Sequence, residues 1–229
     1  SDIAYKSLTP LILCKELSEH LNCNVYLKDE TVFPTGTWKD REGITSLARL
    51  KANNIKEMII FSSGNTGTSL SYAASRLMGP KIHLIVPIAS KKRVNSLDSF
   101  YNHPFVDLYY FDGSNDECIS YCSKLSAKLG IIKENGFKNY ARREGLKSLT
   151  FELLEQTSLN FDWYVQPVAG AIGIYSMYKA LKDIGKLESL PKILGVQASV
   201  CAPFVEGWKA KQPTIDQSII PKEVIPSDF

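Results

Sequence analysis

The chain has 229 residues, of which 44% are hydrophobic and 22% are charged, so it can bury a sizeable core and is neither disordered nor fibrous. Lys and Arg exceed Asp and Glu by three, 27 against 24, and they are scattered rather than gathered into one stripe, which argues against a nucleic-acid partner. The sequence shows no apolar run near the ~20 residues of a membrane span and no apolar signal core at its N-terminus, so no membrane association is expected.

Short β-branched and aromatic runs alternate with longer amphipathic runs. The predicted strands are 24–29, 57–61, 81–87, 106–111, 162–168 and 192–198. The predicted helices are 39–53, 66–78, 114–129, 142–157, 171–184 and 202–211, and the region 90–102 is ambiguous. Because strand and helix alternate and most strands are continuously apolar, the pattern predicts an α/β fold with parallel sheets between layers of helices.

The longest interval without a clear strand runs from about 130 to 160 and separates two strand–helix groups. We interpret it as the passage between two α/β domains. The larger domain is predicted to comprise residues 1–45 and 150–229, and the smaller domain residues 46–149. The tail is rich in Pro and polar residues and offers no strand to close a sheet, so the larger domain is expected to lack its C-terminal part.

The five cysteines form no CxxC pair and leave one thiol over in any disulfide scheme, which predicts reduced thiols in a cytoplasmic protein. Cys118 and Cys122 lie four apart on a predicted helix, where two thiols could share a metal ion. The histidines at 20, 83 and 103 add no ligand spacing. We therefore expect no metal site.

In open α/β sheets, ligands bind where strand ends lead into helix starts. The loop 61–69, FSSGNTGTS, follows a predicted strand and opens a helix. Its small residues let the backbone approach a ligand, and N–H groups at a helix start bind a carboxylate or phosphate. Asn65 adds an amide. An ordinary turn with a Ser or Asn cap is the alternative, and it explains only one or two of these residues.

A second loop, 166–176, reads QPVAGAIGIYS and also joins a predicted strand to a helix. Gly170 and Gly173 have two interpretations. They either shape an anion site at the helix start or simply permit close packing of helix on strand.

Lys39 begins the predicted helix 39–53 within TGTWKD. A helix start is partly positive, so a cation is poorly placed there. The position, shielded by Trp38, favours the neutral amine, which is the nucleophilic form needed to react with a carbonyl compound. The competing interpretation is that Asp40 and Glu42 offset the charge of an exposed lysine. The residues alone favour this second interpretation.

Together, the segments resemble the fold-type II family of pyridoxal phosphate enzymes, and within it the threonine synthases most closely. The matching stretches are TPL at 9–11, YLKDE at 26–30, PTGTWKDR at 34–41, SSGNTGTS at 62–69, ARREGLKSLTFELLEQ at 141–156, PVAGAIG at 167–173 and LGVQA at 194–198. The resemblance implies two open, mostly parallel sheets flanked by helices, as in tryptophan synthase β-like proteins. It also implies pyridoxal 5′-phosphate as cofactor, an amino-acid substrate and a homodimer.

The resemblance further implies roles for individual residues. Lys39 would carry the cofactor and move protons. Asn65 would contact the phenolic oxygen of the cofactor, and the cofactor phosphate would rest on Ala169, Gly170, Ala171, Ile172 and Gly173. The substrate carboxylate would be held by Ser63, Gly64, Asn65 and Thr66. The substrate phosphate would be bound by Arg142 and, as a weaker match, by Lys91.

Some residues depart from the family pattern. The phosphate loop is usually rich in glycine, but Ala169, Ala171 and Ile172 carry β-carbons here, so a left-handed backbone at any of them is strained. Trp38 replaces the usual Phe, and Glu42 precedes the expected Gly43. Ser96 lies near a position where threonine synthases carry another lysine, which bears on specificity for phosphohomoserine. The larger departure is length: the family continues well past this point, and no residue here can be assigned as the polar partner of the pyridine nitrogen.

The resemblance favours a lyase that forms threonine and phosphate from O-phosphohomoserine and water. The basic residues available for a phosphorylated substrate are Lys91, Lys92, Arg93, Arg142 and Arg143. One alternative keeps the cofactor and performs β-replacement or elimination on serine-type substrates, as cysteine synthases and serine or threonine dehydratases do. Another is a non-catalytic relative, which the altered loop and short length would suit.

Overall fold

The computed structural model describes residues 8–92 and 98–211. In these residues the strands are β1 (Leu11–Leu13), β2 (Tyr26–Lys28), β3 (Glu57–Phe61), β4 (Lys81–Pro87), β5 (Val106–Phe111), β6 (Ile132–Lys133), β7 (Trp163–Pro167) and β8 (Lys192–Val196). The helices are α1 (Lys15–Leu21), α2 (Lys39–Ala52), α3 (Asn65–Leu77), α4 (Asp98–Tyr101), α5 (Asn115–Leu129), α6 (Tyr140–Gln156), α7 (Ile172–Asp183) and α8 (Pro203–Lys209). Arg93 and Ser96, which entered the sequence interpretation, lie outside the described residues.

Parallel pairing dominates the sheets. Four parallel strands form one sheet in the order β5-β4-β3-β6, and β7 pairs in parallel with β8. β1 and β2 form a separate antiparallel pair. The predicted α/β fold with mostly parallel sheets flanked by helices is therefore confirmed. Sequence patterns do not predict β1 or β6, because strands of three and two residues are too short to show a period.

Helices cover both faces of the four-stranded sheet. On one face, β3 and β4 pack against α2 and α3, with Leu47, Ile60, Leu70 and Leu84 among the fully buried side chains. On the other face, Ile59 and Ile85 pack against the thiols of Cys118 and Cys122 on α5. Burial raises the pKa of Cys118 to about 12, so this thiol stays protonated and packs as a small apolar group.

Within 8–92 and 98–211, no group of three or more His, Cys, Asp or Glu side chains is arranged to hold a metal ion. None of the helices in the same ranges combines the length and apolar character needed to cross a bilayer.

Helix α2 lies at the centre of the helix packing, against α3 and α6, and α6 packs in turn on α7. Gly145 lets α6 approach α2 closely, since a β-carbon there would lie 2.2 Å from the carbonyl oxygen of Arg41. Both α2 and α6 run without interruption through the predicted domain boundaries at 45/46 and 149/150. The division into two domains stays a prediction.

A cluster of charged side chains fastens α2 to α6 and to the N-terminal segment. Arg41 Nε donates to Glu30 Oε2 at 2.7 Å and Arg41 Nη1 to Glu152 Oε1 at 2.5 Å, with 3% of the Arg41 side chain exposed. Lys28 Nζ reaches the other oxygen of Glu152 at 2.8 Å, and Thr9 Oγ1 donates to Glu30 at 2.6 Å. The charges are therefore paired and hydrogen-bonded, which is the condition for burying them.

This cluster predicts a specific loss of stability in acid. Burial disfavours the Glu152 carboxylate, but hydrogen bonds from Arg41 and Lys28 outweigh it and lower the pKa from 4.5 to about 2. Because the folded-state pKa lies below the unfolded one, this contribution is complete above pH ~5 and disappears as the pH falls from there towards 2. We expect it to be roughly 2 kcal/mol after allowing for solvent screening. Urea unfolding between pH 6 and 3 should show a shallower pH dependence for Glu152→Gln, and parallel curves would contradict the assignment.

Candidate active site

Lys39 is the first residue of α2, and no side chain caps this helix start. Its Nζ lies 2.7 Å from Glu42 Oε1 and 5.2 Å from the centroid of the Trp38 ring, and 21% of the side chain is exposed. Glu42 therefore offsets the lysine charge, as the competing sequence interpretation predicted. Asp40 does not: it is fully buried and accepts hydrogen bonds from the backbone N–H and hydroxyl of Thr35 at 3.0 and 2.6 Å. Lys39 is thus a half-buried amine rather than an exposed surface residue.

The loop 62–66 brings free backbone donors to the start of α3. Ser62 Oγ tightens the turn by accepting from Gly67 N at 2.9 Å. Among the described residues, the N–H groups of Ser63, Asn65 and Thr66 have no hydrogen-bond acceptor. These donors lie at the positive end of the helix, so the geometry suits a carboxylate. Ser62, which accepts this bond, was not singled out because the sequence offers two adjacent serines and no way to tell them apart.

Helices α2 and α3 meet directly beside Lys39. Ser69 Oγ on α3 donates to the carbonyl oxygen of Lys39 at 2.6 Å. A β-carbon on Gly43 would lie 2.4 Å from the same Ser69 oxygen, so glycine is required for this close approach. The helix that follows the loop 62–66 is therefore held against Lys39 by packing that sequence patterns do not reveal.

The loop 166–176 leads into α7, and its backbone also presents free N–H donors. In the described part of the chain, the N–H groups of Ile172, Gly173 and Ile174 have no acceptor. Gly173 packs against Trp38: a β-carbon there would lie 2.3 Å from Trp38 Cη2 and 2.6 Å from Gln166 Nε2. The close-packing interpretation therefore applies to Gly173, whereas Gly170 is exposed and a β-carbon there would meet no atom within 4 Å.

The expected backbone strain falls on one residue of this loop. Ala171 caps α7 in the left-handed region, with φ 57° and ψ 13°, whereas Ala169 and Ile172 are not in that region. A non-glycine residue with this conformation costs ~1 kcal/mol or more. Of the three residues for which backbone strain was predicted, only Ala171 is in the left-handed region.

Replacing Ala171 by glycine should therefore stabilise the protein. We expect Ala171→Gly to raise the free energy of unfolding by about 0.5–1 kcal/mol, because the relief of strain exceeds the added flexibility of the unfolded chain. The matched control is Gly170→Ala, whose backbone is not left-handed and which should change stability by no more than ~0.5 kcal/mol. Urea denaturation of the cofactor-free protein measures both, and a loss of stability in Ala171→Gly would contradict the predicted strain.

Arg142 reaches the site from the first turn of α6, but its charge is already paired. Its Nε donates to Glu42 Oε2 at 2.5 Å and its Nη1 lies 3.2 Å from Glu134 Oε1. Its Nη2 lies 3.4 Å from Thr66 Oγ1 at the start of α3. Burial disfavours the guanidinium charge, but Glu42 and Glu134 outweigh burial and raise the pKa of Arg142. Sequence reasoning missed both partners, because Glu42 lies 100 residues from Arg142 along the chain and Glu134, eight residues away, lies outside the helix that carries Arg142.

Lys91 was expected to bind the substrate phosphate together with Arg142, but it lies elsewhere. It is exposed, and its Nζ lies 5.4 Å from the centroid of the Tyr110 ring on β5. Arg142 instead pairs with Glu134, which directly follows β6. β5 and β6 are the two edge strands of the sheet. The Tyr110 ring beside Lys91 is therefore about three strand spacings of ~4.8 Å from the strand that precedes Glu134.

Comparison with known proteins places the chain in a family. A family model described as pyridoxal-phosphate dependent enzyme matches residues 5–227. Threonine synthases of Mycobacterium tuberculosis and Synechocystis are 29% and 30% identical to it over 208 and 213 residues. The alignments cover 90% of this chain but 57% and 54% of these relatives. The chain thus spans little more than half their length.

Solved structures show the same fold at greater sequence distance. Threonine deaminase isoform 2 of Solanum lycopersicum is 21% identical with a TM-score of 0.77, covering 92% of this chain and 57% of that one. Serine racemase of maize is 22% identical with a TM-score of 0.78, covering 94% and 65%. The predicted resemblance is therefore confirmed, and with it pyridoxal 5′-phosphate as the cofactor. The family model matches nearly the whole sequence, and the chain belongs to the pyridoxal-phosphate dependent enzymes.

Proposed function

We propose that this chain carries much of the active site of a lyase that converts O-phosphohomoserine and water to threonine and phosphate. Lys39 is the residue that holds the cofactor. One observation carries the proposal: α3 and the start of α7 both pack against the start of α2, through the hydrogen bond from Ser69 to the Lys39 carbonyl and the packing of Gly173 on Trp38. The resemblance to the threonine synthases suggests the substrate.

The described residues fit pyridoxal phosphate. The amine of Lys39 is partly open to solvent, and the first turn of α7 offers N–H groups without acceptors, as a phosphate site requires. A β-carbon at Gly170, just before that turn, would meet no atom within 4 Å, so the space beside the backbone there is open. When bound, the cofactor supplies an electron sink for the charge that develops at the substrate Cα.

The chain itself binds the substrate and moves the protons. The N–H groups of Ser63, Asn65 and Thr66 hold the substrate carboxylate at the positive end of α3. Lys39 Nζ removes and returns the proton at Cα, because a neutral amine within hydrogen-bond reach of that atom acts as a general base. Trp38 covers one side of this amine and limits its contact with water. The proposal includes a cytoplasmic homodimer with the domain division 1–45 plus 150–229 and 46–149.

A second candidate function follows from Arg142. The guanidinium expected to bind the substrate phosphate already pairs with two carboxylates, and Lys91 lies towards the other edge of the sheet. This arrangement favours a less highly charged substrate, such as serine or an O-acylated serine, in a replacement or elimination reaction.

Phosphate release by the full-length protein separates the two functions. With pyridoxal phosphate present, we expect release of inorganic phosphate from O-phosphohomoserine and little from O-phosphoserine. Lys39→Ala should abolish release, because the variant lacks both the cofactor attachment and the general base. Turnover of serine or O-acetylserine without phosphate release from O-phosphohomoserine would establish the second function instead. A full-length protein that stays colourless at high cofactor concentration would indicate a non-catalytic relative.

A further inference from the structure

Glu42 lies between the two cations of the site and contacts both. Its Oε1 lies 2.7 Å from Lys39 Nζ, and its Oε2 accepts from Arg142 Nε at 2.5 Å. Only 2% of the Glu42 side chain is exposed, compared with 21% for Lys39. An exposed pair of this spacing on a helix surface contributes little, because water and salt screen it. A buried carboxylate with two charge-assisted hydrogen bonds is held in one orientation.

Two cations contact Glu42: Lys39 from the same helix and Arg142 from α6. Arg142 in turn contacts Glu134, which follows β6, and Thr66 at the start of α3. Glu134 holds Arg142 from its far side at 3.2 Å, and its own Oε1 accepts from Asn139 Nδ2 at 3.4 Å. Two carboxylates and two cations thus form a chain that ends at the amine. Arg142 therefore fixes Glu42, and Glu42 fixes Lys39.

We propose that Glu42 is a positioning residue for Lys39. It holds the ammonium group beside Trp38 in the cofactor-free protein, and Arg142 keeps Glu42 in place. This rests on the proposed function, in which Lys39 holds the cofactor. It gives Arg142 a role through Glu42 that does not require contact with a substrate phosphate.

The reactivity of Lys39 tests this proposal without the cofactor. The full-length, cofactor-free protein is labelled with a trace of acetic anhydride across a range of pH, and acetylation of the Lys39 peptide is quantified by mass spectrometry. We expect Glu42→Gln to increase Lys39 labelling near pH 7 about fivefold, the factor for an ion pair worth ~1 kcal/mol, and to shift the pH profile of labelling. Glu42→Asp, which keeps the charge but shortens the reach, should give a smaller increase.

The matched control is Glu206→Gln. Glu206 also forms a Glu–Lys pair with a spacing of three residues, at 3.0 Å from Lys209, but both side chains are exposed. This variant should leave the Lys39 profile unchanged and alter Lys209 labelling by less than twofold. Circular dichroism verifies folding, and if Glu42→Gln does not fold, Glu42→Asp decides. A Lys39 profile equal to wild type in the folded Glu42 variants overturns the proposal. Since no cofactor is used, that result would leave Lys39 as the proposed cofactor lysine.

Discussion

Arg41→Met is expected to lower the free energy of unfolding by about 3–5 kcal/mol. Arg41 joins two carboxylates, Glu30 and Glu152, and only 3% of its side chain is exposed. Removing the cation leaves both carboxylates without their main partner in a poorly solvated cluster, and the desolvation cost of each is then uncompensated. Methionine preserves most of the side-chain volume, so the loss reports the charge rather than a cavity. Urea unfolding followed by circular dichroism at pH 7 measures it.

Lys209→Met provides the comparison. Lys209 also pairs with a glutamate, Glu206, at 3.0 Å, but 66% of its side chain is exposed. This variant should lose less than ~0.5 kcal/mol, as exposed pairs contribute little. Similar losses in the two variants would contradict the view that the Arg41 cluster fastens α6 and the N-terminal segment to α2.

Gly173→Ala is expected to weaken pyridoxal phosphate binding by about 10- to 100-fold, since small displacements in a preorganised site have effects of this size. A β-carbon at residue 173 would lie 2.3 Å from Trp38 Cη2 and within 2.7 Å of both amide atoms of Gln166. Either the start of α7 or the indole must move. Because Trp38 directly precedes Lys39, movement of the indole disturbs the amine, and movement of α7 disturbs the N–H groups that we propose to bind the cofactor phosphate. Titration of the full-length protein with cofactor, followed by absorbance, gives the dissociation constant.

The double variant Gly173→Ala with Trp38→Phe distinguishes this steric cause from a general loss of stability. Phenylalanine has no atom at the position of Cη2, so the double variant should regain part of the lost affinity. The two effects would then be non-additive, as expected for residues in contact. If the double variant binds the cofactor no better than Gly173→Ala, the contact between Trp38 and Gly173 does not position the cofactor site.

Periodicity predicted the regular elements well where they were long enough. The strands β3, β4 and β5 have the predicted bounds, and α2 and α5 differ from prediction by one residue. The antiparallel partner of β2 was not predicted, because Leu11–Leu13 is too short to show alternation. The ambiguous region 90–102 falls partly outside the described residues.

The sequence predicted site residues only where the chemistry of a residue depends on its position within its own helix or loop. Lys39 was singled out because a lysine at a helix start is electrostatically unusual, and Glu42 was within reach along the same helix. The contact of Trp38 with Gly173 and the pairing of Glu42 with Arg142 join residues far apart in the chain, and no local pattern encodes them. The alanine side chains of the phosphate loop predicted strain, but only the backbone shows that it falls on Ala171.

Direct identification of the lysine that holds the cofactor tests the central claim. The full-length protein is incubated with pyridoxal phosphate, reduced with borohydride to fix the cofactor to its amine, digested and analysed by mass spectrometry. We predict the modification on the peptide that contains Lys39, and its loss in a folded Lys39→Ala variant. Modification of another lysine with Lys39 unmodified, or no modification of the full-length protein at saturating cofactor, would contradict the assignment of Lys39.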